Sequence, residues 1–165
     1  MSDENGLLLD TADDQFLLFR LGGYTYASPL LSIHEIVLPK PFKYVPNSEP
    51  YYLGMINLRG QIIGVVDLRM RFELEPVKKR GNSLLVIEAD FGKFAALVDE
   101  IQEVVTVSKE EIEVKPHIES PVPMAYITGV AKIGSELITV IDLHKIIEKQ
   151  TLINLESSKL SETNI

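Results

Sequence analysis

The chemically capable side chains of this 165-residue chain are three histidines and twenty-four carboxylates, and it has no cysteine. His34, His117 and His144 lie in separate segments, and none has a second His or Asp at the i, i+4 spacing that sets two donors on one helical face. No metal site is expected. Asp67 and Asp142 each close an apolar strand. As catalytic acids they would have to converge in one pocket; as N-caps each accepts amide hydrogen bonds worth about 1 kcal/mol to the turn that follows. Capping is the reading adopted. Most other carboxylates sit in polar strings such as Lys109-Glu110-Glu111-Ile112-Glu113, the pattern of a solvated face. A nucleophile elbow, a P-loop and a dinucleotide fingerprint are all missing. Catalysis needs a convergent set of groups, so a non-enzymatic protein without cofactor is expected. Arg59 is the remaining candidate, at a hairpin tip between Asn57 and Gly60. Its planar fork of five donors suits an anchor for a partner, although an ordinary solvated turn residue has the same signature.

Arg59 and Asp67 belong to a segment that occurs twice. Gly54 to Leu68 aligns without a gap on Gly129 to Leu143 at an offset of 75, and most neighbouring apolar positions exchange Ile, Leu and Val. Earlier, Phe19 to Val37 aligns on Ile87 to Val105 at an offset of 68. That match keeps Ala27/Ala95, Ile33/Ile101, Glu35/Glu103 and Val37/Val105, and sets Tyr26 against Phe94. A duplicated unit of roughly seventy residues made of short strands predicts paired small β-domains.

Strands are expected at Phe16–Leu21 and Tyr24–Ala27, turning at Gly22-Gly23. Ser28-Pro29 reads as a helix start with the hydroxyl as N-cap, leaving a turn or two of helix. Ile36 to Val45 reads as an extended edge strand because Pro39 and Pro41 cannot donate to a ladder. Met55–Leu58 and Gln61–Val66 form the clearest hairpin, repeated by Val130–Ile133 and Glu136–Ile141. After Asp142, Leu143, Ile146 and Ile147 fall at helical spacing and predict a short C-terminal helix.

Hydrophobic residues make up 45% of the chain, enough for one ordinary domain or two small ones sharing a core. No apolar run nears the ~18 residues of a membrane span, and the acidic start lacks a signal pattern, so no direct membrane binding is expected. A chain without thiols suits a reducing cytoplasm. Net charge −8 would repel nucleic-acid phosphates. The one basic cluster, Lys78-Lys79-Arg80, reads as a solvated loop between the repeats. The expected division is an acidic mobile tail over 1–14, a body over 15–148 with pseudo-repeated subdomains near 16–72 and 83–147, and a polar tail over 149–165.

The run from Leu53 through Arg69, with its Asn57-Leu58-Arg59-Gly60 and Val66-Asp67-Leu68-Arg69, resembles the signature of the CheW family of bacterial chemotaxis adaptors. Ile33-His34-Glu35-Ile36-Val37, Leu97-Val98-Asp99 leading to Glu103-Val104-Val105, and Tyr126-Ile127-Thr128-Gly129 extend the resemblance from about Gln15 to Glu148. It implies an all-β fold of two intertwined five-stranded SH3-like β-barrels. It also implies a non-catalytic scaffold in the cytoplasm, recruited to the inner face of the membrane through receptors. Family members bridge the cytoplasmic tip of methyl-accepting chemoreceptors to the regulatory domain of the histidine kinase CheA.

Position by position, the resemblance places receptor contact on Ile33, Glu35, Gly54, Arg59, Val98, Ile101 and Val104. Kinase contact falls on Ile36, Val37 and Ile62, with the loop at His117 and Ile118 touching a neighbouring ring member. Gly64 stands where the family commonly has proline, predicting an outgoing strand that is more flexible or better able to pair. His117-Ile118 replaces the acid and aromatic often found there, and Leu38 to Pro50 is idiosyncratic. These departures admit an adaptor of a pilus-based or regulatory pathway. A peptide-binding β-barrel outside chemotaxis is the reading from a different class.

Overall fold

The computed structural model describes residues 15–74, 83–90, 92–114 and 119–147. The expected tails at 1–14 and 149–165, the basic cluster Lys78-Lys79-Arg80, and His117 and Ile118 lie outside the described residues. Eleven strands are formed among the described ones: β1 Gln15–Leu21, β2 Tyr24–Pro29, β3 Glu35–Val37, β4 Tyr52–Leu58, β5 Gln61–Asp67, β6 Ser83–Ala89, β7 Gly92–Val98, β8 Glu100–Thr106, β9 Ile112–Val114, β10 Ile127–Ile133 and β11 Glu136–Ile141. They build a five-stranded sheet in the order β3-β6-β7-β5-β4 and a six-stranded sheet in the order β8-β1-β2-β11-β10-β9.

The sheets do not follow the sequence repeat. Strands β1 and β2 open the first copy yet pair in the six-stranded sheet, while their counterparts β6 and β7 lie beside the first copy's β3, β4 and β5. The two copies have exchanged their leading hairpins. Each exchange is made by one parallel seam. Gly64 pairs with Phe94 and Val65 with Ala95 between β5 and β7; Thr139 pairs with Tyr26 and Val140 with Ala27 between β11 and β2. These are the same register, carried over by the two repeat offsets. The antiparallel pairing of Ile36 with Leu85 likewise has its counterpart in Val104 with Leu17. A local two-fold relation therefore links the halves.

The exchange explains why β1 and β6 read as unbroken apolar runs: both of their faces are covered. Leu17, Phe19 and Leu21 join Leu85, Ile87 and Phe94 in a central core drawn from both sheets. The alternate residues point the other way. Phe16 and Leu18 enter the interior of the six-stranded sheet, and Leu84 and Val86 enter that of the five-stranded sheet.

Several expectations change in detail. The end strands β3 and β4, and β8 and β9, are not hydrogen-bonded to each other, so the barrels are open sheets. The predicted edge strand over Ile36–Val45 contracts to β3 and a single bridge between Lys43 and Met55, because Pro39 and Pro41 deny the ladder its donors. The equivalent segment of the second half has no such prolines and forms β9, the sixth strand. Ser28 does not cap a helix: it lies in β2, its hydroxyl donates to Pro29 O, and only a 3-10 turn follows at Leu30–Ser32. The C-terminal helix is likewise reduced to a 3-10 turn at Leu143–Lys145, with Ile146 and Ile147 buried just beyond. One turn already buries all three apolar residues. Asp67 and Asp142 do cap, accepting from Arg69 N at 2.9 Å and His144 N at 3.0 Å. No helix among the described residues is long and apolar enough to cross a membrane.

Arg71, in the helical turn Leu68–Arg71 after β5, ties the halves together. Its guanidinium lies 4.8 Å from the Tyr51 ring and 5.3 Å from the Tyr126 ring, two positions matched by the 75-residue offset. Its Nε donates to Ile146 O at 2.7 Å, and Ile146 occupies Arg71's own place in the second copy. Stacking between two aromatic faces is worth about 0.5–2 kcal/mol in a half-buried setting.

With the leading hairpins exchanged, neither half has a core of its own. Chemical unfolding followed by far-ultraviolet and tyrosine near-ultraviolet dichroism is expected to give one coincident transition. Leu85→Ala, at a fully buried position in the shared core, should lower its midpoint in both signals by the equivalent of about 2–5 kcal/mol. Two separable transitions would show that the halves fold independently. Tyr26 adds a pH dependence: its buried hydroxyl has no hydrogen-bond partner, and burial, with the neighbouring Tyr24, pushes its pKa from 10.0 up to about 12. The folded state thus holds this proton more tightly than the unfolded chain. Stability is unaffected below pH 10 and declines as pH rises from 10 to 12. Tyr26→Phe should be at least as stable near neutrality and show a smaller alkaline decline in the same titration.

Candidate docking surface

The β4–β5 hairpin projects Arg59 on a tight turn that Asn57 closes, its Oδ1 accepting from Gly60 N at 2.9 Å. Arg59 has φ 51°, and the matching turn residue of the second copy, Gly134, has φ 62°. An L-residue pays about 1 kcal/mol or more in this left-handed region, where glycine pays almost nothing. The side chain supplies a reason for an arginine there. Its Nη1 donates to Glu35 Oε1 at 3.0 Å and its Nη2 lies 2.9 Å from Glu35 Oε2, a two-pronged fork. The arginine side chain is 74% exposed and the glutamate 20%. An exposed pair contributes at most about 1 kcal/mol, roughly the cost of the backbone conformation. Stability alone does not account for the arrangement.

The clasp also spans the sheet. Arg59 caps β4 and β5 at one edge, while Glu35 begins β3 at the other, so the pair stitches across the side that hydrogen bonds leave open. The second half has no such stitch, since its equivalent positions hold Glu103 and Gly134.

Two residues expected at the receptor site, Ile33 and Ile101, are equivalents across the local two-fold. Each is half-buried against the central core that both sheets share. They therefore mark the seam between the sheets from its two sides. Val104 is exposed on β8. Val98 is fully buried in the central core and offers no surface. Gly54 is buried as well: with φ 149°, a Cβ there would lie 2.3 Å from Lys43 O. Its duplicate Gly129 meets Glu113 O in the same way, at 2.7 Å. This paired glycine is explained by a crossing backbone segment. Of the residues expected at the kinase site, Ile36 and Ile62 are exposed and Val37 is half-buried against the interior of the five-stranded sheet.

A partly buried polar network supports the seam. Asp99, between β7 and β8, accepts from Gly22 N at 2.8 Å through Oδ2 and lies 3.3 Å from Arg69 Nη1 through Oδ1. Arg69 Nε is 3.5 Å from Asp67 Oδ1. The end of β5, the β1–β2 turn and the chain's crossing from one sheet to the other are thereby held together. Asp67 and Asp142 are each engaged at their own turns, as the capping reading expects. Among the described residues no group of three or more His, Asp or Glu could hold a metal ion. No local spacing predicts the Arg71 stack; its signal in the sequence is the recurrence of Tyr51 and Tyr126 at the 75-residue offset.

The chain's relatives agree with this architecture. Residues 15–151 match the family model described as the CheW-like domain. The chain is 31% identical over 153 residues to the chemotaxis protein CheW of Treponema pallidum, covering 87% of this chain and 90% of that protein. Against the chemotaxis protein CheW of Bacillus subtilis it is 29% identical, covering 84% and 89%. The crystal structure of the scaffolding protein TtCheW from Thermoanaerobacter tengcongensis aligns with a TM-score of 0.75 at 28% identity, over 82% of this chain and 93% of that one.

Gly64 is where the sequence departs from the expected proline, and the structure supplies a cause. Gly64 pairs with Met55 of β4 on one side and Phe94 of β7 on the other. The Tyr52 ring lies across it, so that a Cβ at position 64 would overlap the tyrosine hydroxyl and approach Cζ at 2.4 Å. The two residues share one volume beneath the hairpin that carries Arg59. Gly64→Ala should cost about 1–3 kcal/mol, and combining it with Tyr52→Val should recover part of that loss. A denaturation double-mutant cycle that is simply additive would refute the coupling.

Proposed function

Since this chain belongs to the CheW family of chemotaxis scaffold proteins, we propose that it couples methyl-accepting chemoreceptors to a CheA-type histidine kinase, by contact alone. The single observation that carries the receptor half of this reading is the Arg59–Glu35 fork: an arginine held in a left-handed turn and left largely exposed beside the seam between the sheets. Ile33 and Ile101 supply apolar contact on the two sides of that seam. A receptor's helical tip would lay its apolar stripe against them while the charged rim fixes its register. Val104 extends the surface along β8. Val98 and Gly54 shape it from beneath.

The kinase half of the reading rests on Ile36 and Ile62, two exposed apolar residues of the five-stranded sheet, with Val37 behind them and His117 and Ile118 assigned to the neighbouring ring member. Signal passes if receptor and kinase each bind one relative geometry of the scaffold better than another, because only differential contacts shift such an equilibrium. Recruitment beneath the membrane comes through the receptor. The pathway served, flagellar, pilus-based or regulatory, is fixed by the receptor and kinase that bind.

The test uses Arg59→Gly, which removes the fork and gives the turn the residue its backbone prefers. Captured on an immobilised receptor cytoplasmic fragment from the same genome, the variant is expected to bind at least tenfold more weakly. Capture by the CheA regulatory domain should be unchanged, and folding stability should stay within about 0.5 kcal/mol of the parent. Unchanged receptor binding would remove Arg59 from the interface. Failure of the parent protein to bind either partner would move its role outside chemotaxis.

A further inference from the structure

The 68-residue offset picks out one titratable pair that the first half has and the second lacks. His34 Nδ1 lies 3.4 Å from Glu88 Oε2, with the side chains 43% and 60% exposed. At the equivalent positions the second half holds Gln102 and Arg20. Gln102 Oε1 accepts from Thr25 Oγ1 at 3.2 Å, and Arg20 Nη2 donates to Gly23 O at 3.1 Å. An amide has no charge to change and a guanidinium keeps its own, whereas an imidazole changes charge between about pH 5 and 8. The half that carries this imidazole also carries the Arg59–Glu35 fork. His34 directly precedes Glu35, and its backbone N–H donates to Val86 O at 2.8 Å, which fixes it beside β6. The other described histidine, His144, sits apart at the Asp142 cap.

Charged groups on the elements packed around His34 set what its proton does. Glu88 of β6 pairs with Lys93 of β7 across the ladder, and Lys93 Nζ reaches Gln61 Oε1 at 3.4 Å, at the base of the Arg59 hairpin. Asp90 is exposed in the β6–β7 turn, and Glu35 and Arg59 form the fork. While the imidazole is neutral, the carboxylates Glu35, Glu88 and Asp90 outnumber the cations Arg59 and Lys93 by one. Protonation brings this end of the sheet to balance. We propose that His34 is a pH-sensitive switch on the receptor-facing rim: its imidazolium pairs with Glu88 and adds one positive charge beside the fork. This inference rests on the receptor reading of Arg59. An arginine has donors and no acceptor, so the receptor group that meets it is a carboxylate or a carbonyl, and a second cation at the rim favours that group further. Receptor binding is therefore tighter with His34 protonated and weakens as pH rises through the imidazole range. Both side chains are open to water, so the proton enters without unfolding, and salt confines the effect to groups within about 8–10 Å.

Two measurements on the full chain test the proposal. In a carbon-13 NMR titration, the Arg59 Cζ signal is expected to move with the same midpoint as the His34 ring signals, and to stop moving in His34→Gln. An immobilised receptor cytoplasmic fragment should hold the parent about two- to fivefold more tightly near pH 6 than near pH 8. His34→Gln should lose that difference, and His34→Arg should keep the tighter affinity at both. An Arg59 signal indifferent to the His34 titration, or a His34→Gln variant that keeps the parent's full pH dependence, would overturn the switch. The NMR titration needs no receptor. A parent that binds no fragment at either pH defeats the receptor reading, and the Arg59 signal still decides whether His34 acts on the fork.

Discussion

The two parallel seams, β5 with β7 and β2 with β11, are the constraint from which the rest of this structure follows. Through them each half lends its leading hairpin to the other's sheet, and the lent strands are apolar on both faces because they must fill two interiors at once. A chain of this length has little area to bury in two separate barrels. Placing Leu17, Phe19, Leu85, Ile87 and Phe94 in one shared core lets both halves draw on the same interior. The seam between the sheets is consequently a rigid feature. Ile33 and Ile101 are fixed on either side of it by the same strands that make the core.

The internal symmetry is broken at a small set of polar and charged positions. Paired elements such as the glycines at 54 and 129, the caps at Asp67 and Asp142 and the tyrosines at 51 and 126 explain packing. The unpaired ones face outward or bear charge. Arg59 stands opposite Gly134 and Arg69 opposite His144. A duplicated barrel needs none of these differences in order to fold. Each creates a surface or a network that one half has and the other lacks.

Much of this was legible in the residues. The two offsets, the hairpin at Arg59-Gly60 and both aspartate caps all follow from local spacing and residue chemistry. The hairpin exchange itself does not follow from the repeat, because either copy's hairpin satisfies the same register. Nor could spacing reveal that Arg59 reaches Glu35, as no local period connects them. The edge strand is shorter than the sequence suggests because Pro39 and Pro41 abolish most of it rather than only confining it to an edge. The helices were overestimated because Leu143, Ile146 and Ile147 find their burial within a single turn, leaving no apolar face to extend. Gly64 is intelligible only beside Tyr52.

The account turns on the claim that a receptor is read across the seam, by both sheets together. Hydrogen–deuterium exchange of the full chain, with and without a receptor cytoplasmic fragment, tests this most directly. Protection is predicted to appear at once in residues 33–36 and 57–60 of the five-stranded side and in residues 100–105 of the six-stranded side. Protection confined to one sheet, or none at any of these segments while the fragment is bound, would contradict it.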